Sequence, residues 1–288
     1  MPPLPVHTIE GVGGGGITPM AYLVNPGDEC HVFGKPAVSL SYVNLGRKNL
    51  DAIAVTETVF QQIEFGYAAN RFGLGTLPMD IRDATVSQTN PTGIDIEQSD
   101  VWLHHFNIRA LLVKENTCFG GIALPAITAG VHFKYNDGIG DINQKLGGAL
   151  SDIGYRDANS QDYTLTATKT FSKAFGRPLI ATAGLRLSEA ANLGYLGFGG
   201  SYRASFEGNL VYLLRDRLAL AYEIRQKTSP YGEIAGLIGD EDTWQALDIV
   251  LLLNEHMHTT LAAAWVPVGT LANTDENGGW FLQLKHEF

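Results

Sequence analysis

The side chains best equipped for chemistry in this chain are charged residues set at alternate positions within long runs. Glu64, Arg109, His132, Lys134, Arg186, Arg203, Glu207, Glu223, Arg225 and Lys285 each fall in a stretch where apolar and polar residues trade places at every step. Between 127 and 135, Ile127, Ala129, Val131, Phe133 and Tyr135 are interleaved with Thr128, Gly130, His132 and Lys134. Successive side chains of an extended strand point to opposite faces, so this spacing puts the charges on one face and the apolar residues on the other. Buried in a dry sandwich, such charges would be costly; facing a hydrated lumen, they are ordinary. Two uses fit them. Either they pair with one another and stabilise a closed interior, or they line a solute path and set its charge preference. With His132 counted as basic, seven of the ten are basic and three acidic, so an open path would favour anions or zwitterions. That preference depends on register, because a slip of one residue exchanges the faces of a strand.

Other chemistries do not assemble. His104 and His105 stand beside Trp102, but neighbours in a strand face opposite ways and cannot share one ion. No Gly-x-Ser-x-Gly elbow or His-Glu-x-x-His pair occurs. The acidic trio Asp240, Glu241 and Asp242 is expected at the opposite end of the molecule from His256 and His258. Acidic residues in the longer connections, among them Asp95, Glu97, Asp141 and Glu276, form either a solvated rim or oxygen ligands for divalent cations. No catalytic residue, metal or cofactor is therefore expected, and the chain is expected not to be an enzyme.

The elements that must position the charged residues are strands. Twelve alternating runs fall near 36–45, 51–60, 62–72, 102–113, 122–135, 161–171, 178–188, 202–214, 217–227, 243–254, 257–267 and 279–288. Many exceed the usual five or six residues of a soluble strand and suit a tilted bilayer crossing. Connections at 73–101, 136–160, 189–201, 228–242 and 268–278 are long and alternate with short ones; the connection at 46–50 is the exception. Trp102, Tyr135, Tyr163, Tyr202, Tyr212, Trp244, Trp265 and Trp280 lie near run ends, as interfacial girdles do. The expected fold is all-β: a transmembrane antiparallel up-and-down barrel of about 12 strands over 36–288, with 10 or 14 as the alternatives. The final run places Trp280, Leu282, Leu284 and Phe288 on one face. That pattern is similar to the terminal strand that insertion machinery reads in bacterial outer-membrane barrels, although His286 stands where an aromatic is more usual.

Composition narrows the setting. Charged residues make up only 17% of 288, glycine is abundant at 33, and the formal charge is -10, which argues against nucleic acid as a partner. No apolar run approaches the roughly 20 residues of a membrane-spanning helix. Cys30 and Cys118 are either a disulfide or two separate thiols.

Residues 1–35 remain, and they contain Gly13, Gly14, Gly15 and Gly16. A phosphate-binding loop would need a preceding strand and a Gly-Lys-Ser/Thr ending, both missing here. The favoured placement is a plug in the lumen or a segment beneath it, because glycine lets backbone approach a wall closely. A flexible linker, or an extra strand at 21–24, are the alternatives.

Residues 10–19 (Glu-Gly-Val-Gly-Gly-Gly-Gly-Ile-Thr-Pro), 193–200 (Leu-Gly-Tyr-Leu-Gly-Phe-Gly-Gly) and 206–214 (Phe-Glu-Gly-Asn-Leu-Val-Tyr-Leu-Leu) resemble a proteobacterial family catalogued as domain of unknown function 3034. The resemblance runs from about Glu10 to Phe288. It implies an outer-membrane barrel and brings no established activity or catalytic residues. The expected function is porin-like passage of a small solute; the alternative is a structural barrel that docks a partner protein in the envelope. Expected partners are membrane lipid, lipopolysaccharide and the barrel-insertion machinery, with the C-terminus periplasmic in a Gram-negative outer membrane.

Overall fold

A computed structural model describes residues 6–27, 31–254 and 258–288. The alternating runs form twelve strands: β1 (Ala37–Asn44), β2 (Asn49–Val59), β3 (Ile63–Gly73), β4 (Asp100–Val113), β5 (Ala126–Asp137), β6 (Asn159–Phe171), β7 (Leu179–Ala190), β8 (Phe198–Arg215), β9 (Leu218–Arg225), β10 (Trp244–Asn254), β11 (Thr259–Val266) and β12 (Gly279–Glu287). Each pairs antiparallel with the next, and β12 pairs with β1 to close the barrel. Closure leaves no unpaired edge, which is what lets a sheet stand in hydrocarbon.

The two faces divide as period-two spacing demands. On β5, Thr128, Gly130, His132 and Lys134 are buried inside, while Phe133 and Tyr135 are exposed outside. Leu40, Ile53, Phe106, Leu165, Leu185, Ile249 and Leu284 are exposed on the outer surface of their strands. A molecule with charge inside and an apolar belt outside is the inverse of a water-soluble one, and lipid is the solvent that fits it. Aromatic contacts collect where the strands run into the longer connections. Tyr42 packs on Trp280 (5.3 Å between ring centroids), and His104 stacks with Trp102 and Tyr135 on the outside.

One end of the barrel carries short turns together with both strand termini; the other carries the long connections. Helices form inside those connections: α1 (Leu77–Ala84), α2 (Ile139–Lys145) and α3 (Ala149–Ile153). In α1, Pro78 sits in the first turn with Asp80, and Leu77 and Ile81 share a buried face at i, i+4 spacing. These side chains join Ile139, Ile142, Leu150, Leu196, Tyr231 and Ile238 in one apolar core over the barrel mouth. The connection between β7 and β8 is shorter than its expected 189–201, because β8 extends to 18 residues. It folds inward: Asn192, Leu193 and Tyr195 are buried, and Asn136 Nδ2 donates to the carbonyls of Gly194 (2.7 Å) and Tyr195 (3.0 Å). Residues 21–24 do not add a strand; they run as bends inside the barrel.

Lys48, in the turn between β1 and β2, is buried beneath this cap and donates to Asn273 Oδ1 (2.8 Å) and to Thr274 Oγ1. Burial pushes its ammonium down to about 8, with Arg47 adding to the shift and Glu276 and Asp80 opposing it. Its folded value lies below its unfolded one, so the unfolded chain binds more protons between about pH 8 and 10.5 and stability rises with pH across that window. Lys48→Met is expected to remove this component, on the order of 1 kcal/mol, flattening the rise by about 2–4 °C in melting scans. Parallel curves for the two proteins from pH 7 to 10.5 would refute it.

Candidate functional site in the barrel lumen

The inward faces converge on residues 6–24, which thread the barrel and are almost wholly buried. Three carboxylates organise the arrangement. Glu10 comes from the threaded segment and meets three wall cations: Lys134 Nζ at 2.6 Å, Arg186 Nη2 at 3.0 Å and Arg225 Nη1 at 2.8 Å. Glu223, from β9, accepts the backbone N–H groups of Gly16 (2.6 Å), Ile17 (3.2 Å) and Thr18 (2.8 Å), and the Thr18 hydroxyl. Successive N–H groups closing on one carboxylate form an anion-binding nest, here running from segment to wall. Glu64, from β3, accepts Val24 N (2.7 Å) and Gly13 N (3.3 Å) and pairs with Arg109 Nη2 (2.7 Å). Arg109 in turn donates to the Met20 carbonyl (2.7 Å).

Neutral side chains complete the hold. Gln283 Nε2 donates to the His7 carbonyl (2.7 Å), Asn107 Nδ2 to the Glu10 carbonyl (2.6 Å), and Thr128 Oγ1 to the Ala21 carbonyl (2.7 Å). A glycine on the wall makes the approach close enough: a Cβ on Gly66 would lie 2.1 Å from the Gly11 carbonyl oxygen. Gly15 plays the matching part on the segment, where a Cβ would lie 2.3 Å from the Glu223 carboxylate. Below Val24 the chain passes to the short-turn end, where Gly34 N donates to Thr58 O (2.7 Å) and Phe60 N to Val32 O (2.6 Å).

Of the ten charged residues predicted to line the lumen, nine are buried inside: Glu64, Arg109, His132, Lys134, Arg186, Glu207, Glu223, Arg225 and Lys285. His132 lies between Asn107 Oδ1 (2.8 Å) and Thr164 Oγ1 (2.9 Å), and Lys285 pairs with Glu287. Arg203 is a correction. It has the inward parity but stands on the part of β8 that overshoots the closed wall, is exposed, and donates to the Ser229 carbonyl. The expected basic excess is also revised. Among the described residues the strands bury five Lys and Arg, or seven basic side chains with His105 and His132 counted, against six carboxylates, so the excess shrinks to one because Asp162, Asp248 and Glu287 face inward too. Asp248 is hidden in the apolar stretch 247–253, while Asp162 and Glu287 lie at strand ends, where boundaries blur.

Gly13 and Gly14 pair with Val6 and His7 in a two-residue ribbon, and Gly15 and Gly16 continue it into the Glu223 nest. Trp280, Leu282 and Leu284 are exposed on the outer face of β12, and Phe288 N donates to the Pro36 carbonyl (3.1 Å). Cys118 is exposed on a short-turn hairpin, whereas Cys30 and His256 lie outside the described residues. Glu241 is turned into the cap, pairing with Lys227 and accepting Asn192 N (2.9 Å). Among the described residues no three His, Cys, Asp or Glu side chains are grouped to hold a metal.

A family model described as "Protein of unknown function (DUF3034)" matches residues 5–285. The chain belongs to this family. The DUF3034 chain shares its fold with the KdgM porin in a complex with disordered oligogalacturonate, at 8% identity and a TM-score of 0.50, covering 88% of this chain and 99% of that one. The outer-membrane protein Omp33 of Acinetobacter baumannii (7% identity, TM-score 0.44, 89% and 99% covered) and the NanC porin (9%, 0.46, 88% and 98%) are also similar. No protein of curated function matches the sequence. The fold is that of a porin-like outer-membrane β-barrel.

Proposed function

We propose that this DUF3034 protein is a porin-like channel for a small solute, closed by its own N-terminal segment and opened when that segment leaves the lumen. The observation that carries this reading is the composition of the seat. A permanent core would be most cheaply built from apolar side chains alone, whereas this seat, although Ile9, Ile17 and Met20 pack against apolar wall residues, centres on ion pairs and hydrogen bonds that water can replace. Once the segment departs, Lys134, Arg186, Arg225 and Glu223 line a hydrated path instead of a strained void. The segment enters from the short-turn end, so it retracts toward that side. The asymmetry of the connections supports short turns and C-terminus in the periplasm, with the long connections facing out among lipopolysaccharide. In this reading Trp280, Leu282, Leu284 and Phe288 serve the insertion machinery and then face membrane lipid.

In planar bilayers the whole protein is expected to stay closed, and deletion of residues 6–24 to give steady single-channel steps. Heat-modifiability on gels checks that the shortened barrel is folded. The apolar cap over the long-loop end favours a second reading, a structural barrel that docks a partner protein. Silence from a folded, shortened barrel would overturn passage and leave that one.

A further inference from the structure

We infer that Lys134, Arg186 and Arg225 form a carboxylate-binding site, filled by Glu10 in the closed barrel and by a carboxylate-bearing solute when the segment leaves. The inference rests on the proposed passage and names the solute class. Glu10 is held as a planar two-oxygen anion. Arg225 presents a fork, Nη1 to Oε2 at 2.8 Å and Nη2 to Oε1 at 3.1 Å, while Lys134 closes on Oε1 at 2.6 Å and Arg186 on Oε2 at 3.0 Å. Paired N–H donors on parallel vectors match a carboxylate and not a spherical halide.

Charge balance singles out the same place. Arg109 has Glu64 as a wall partner, and Lys285 has Glu287. Among the described residues the three cations around Glu10 have only Asp162 and Glu207 as carboxylate partners from the wall: Lys134 and Arg186 reach Asp162 at 2.7 and 2.8 Å, and Arg186 and Arg225 reach Glu207 at 3.0 and 3.7 Å. With Glu10 seated, three positive charges meet three negative ones. With it gone, one positive charge is left over within this cluster, although the wall as a whole carries six carboxylates against five Lys and Arg, and a monocarboxylate restores local neutrality where a neutral solute does not. Glu10 is thus an internal stand-in for the solute.

The test is chemical rescue in the full-length protein. Glu10→Ala in detergent is expected to melt below the wild type, and sodium acetate to restore about half of the lost Tm or more, while sodium chloride at equal ionic strength does not. Adding Arg225→Gln is expected to abolish the part specific to acetate. In the wild type, acetate competes with Glu10, so residues 6–24 are cleaved faster by protease in acetate than in chloride; this second measurement stands even if Glu10→Ala does not fold. Acetate and chloride acting alike in both would overturn the site. Neither readout involves conduction. Acetate-specific rescue in a barrel that never conducts would refute passage alone, and an opening channel indifferent to acetate would refute this site alone.

Discussion

Glu10→Lys is expected to free the N-terminal segment from the lumen while the barrel around it stays folded. The substitution puts a fourth cation among Lys134, Arg186 and Arg225, with only Asp162 and Glu207 left to oppose four positive charges. Breaking a buried ion pair costs about 3–5 kcal/mol, because the abandoned charges stay desolvated, and reversing the sign adds repulsion. That energy shifts the ratio of seated to free segment by roughly 10²–10⁴-fold. The cost stops there, since water entering the vacated lumen resolvates the wall cations. Twelve strands closed by backbone hydrogen bonds do not need Glu10 to persist. Limited proteolysis with N-terminal sequencing reads the effect directly: residues 6–24 should be cleaved rapidly, with the barrel still heat-modifiable. A segment as resistant as in the wild type would show that Glu10 does not hold it. Unfolding of the entire barrel would show that segment and wall are one cooperative unit.

How much of this is legible in the sequence varies from residue to residue, for physical reasons. The alternation around His132 and Lys134 sets their parity wherever the strand begins, so the inward face of β5 follows from spacing alone. Strand number and connection pattern are readable for the same reason. The register between segment and wall is not. Glu223 is satisfied by the N–H groups of Gly16, Ile17 and Thr18, and Arg109 by the carbonyl of Met20. Backbone groups are the same at every residue, so such contacts leave no compositional trace. Glu10 was visible in a glycine-rich motif but had no period to place it opposite Arg225. The cap leaves little trace in the sequence because α1, α2 and α3 span only eight, seven and five residues, too short for helical spacing to stand out in a connection. Arg203 departs from its expected place for a different reason: parity says which way a side chain points, not whether there is a lumen at that height.

Gly66→Ala is expected to free the same segment without altering any charge. Its new methyl group would lie 2.1 Å from the Gly11 carbonyl oxygen, and that atom belongs to backbone, which cannot swing aside as a flexible side chain can. Overpacking of this kind costs about 1–3 kcal/mol, a shift of roughly 5–150-fold in the same proteolysis assay, smaller than that of Glu10→Lys. Combining the two substitutions decides where the methyl group acts. If its cost arises only while the segment is seated, the collision vanishes once Glu10→Lys has expelled it, and the double variant loses no more Tm than Glu10→Lys alone. If the methyl group instead disturbs the β2–β3–β4 wall, where Gly66 pairs with Thr56 and Asn107, the two losses add. Non-additivity is the expected result. It follows from treating the lumen as two bodies, wall and segment, that meet by shape at Gly66 and by charge at Glu10, with the same equilibrium answering to both.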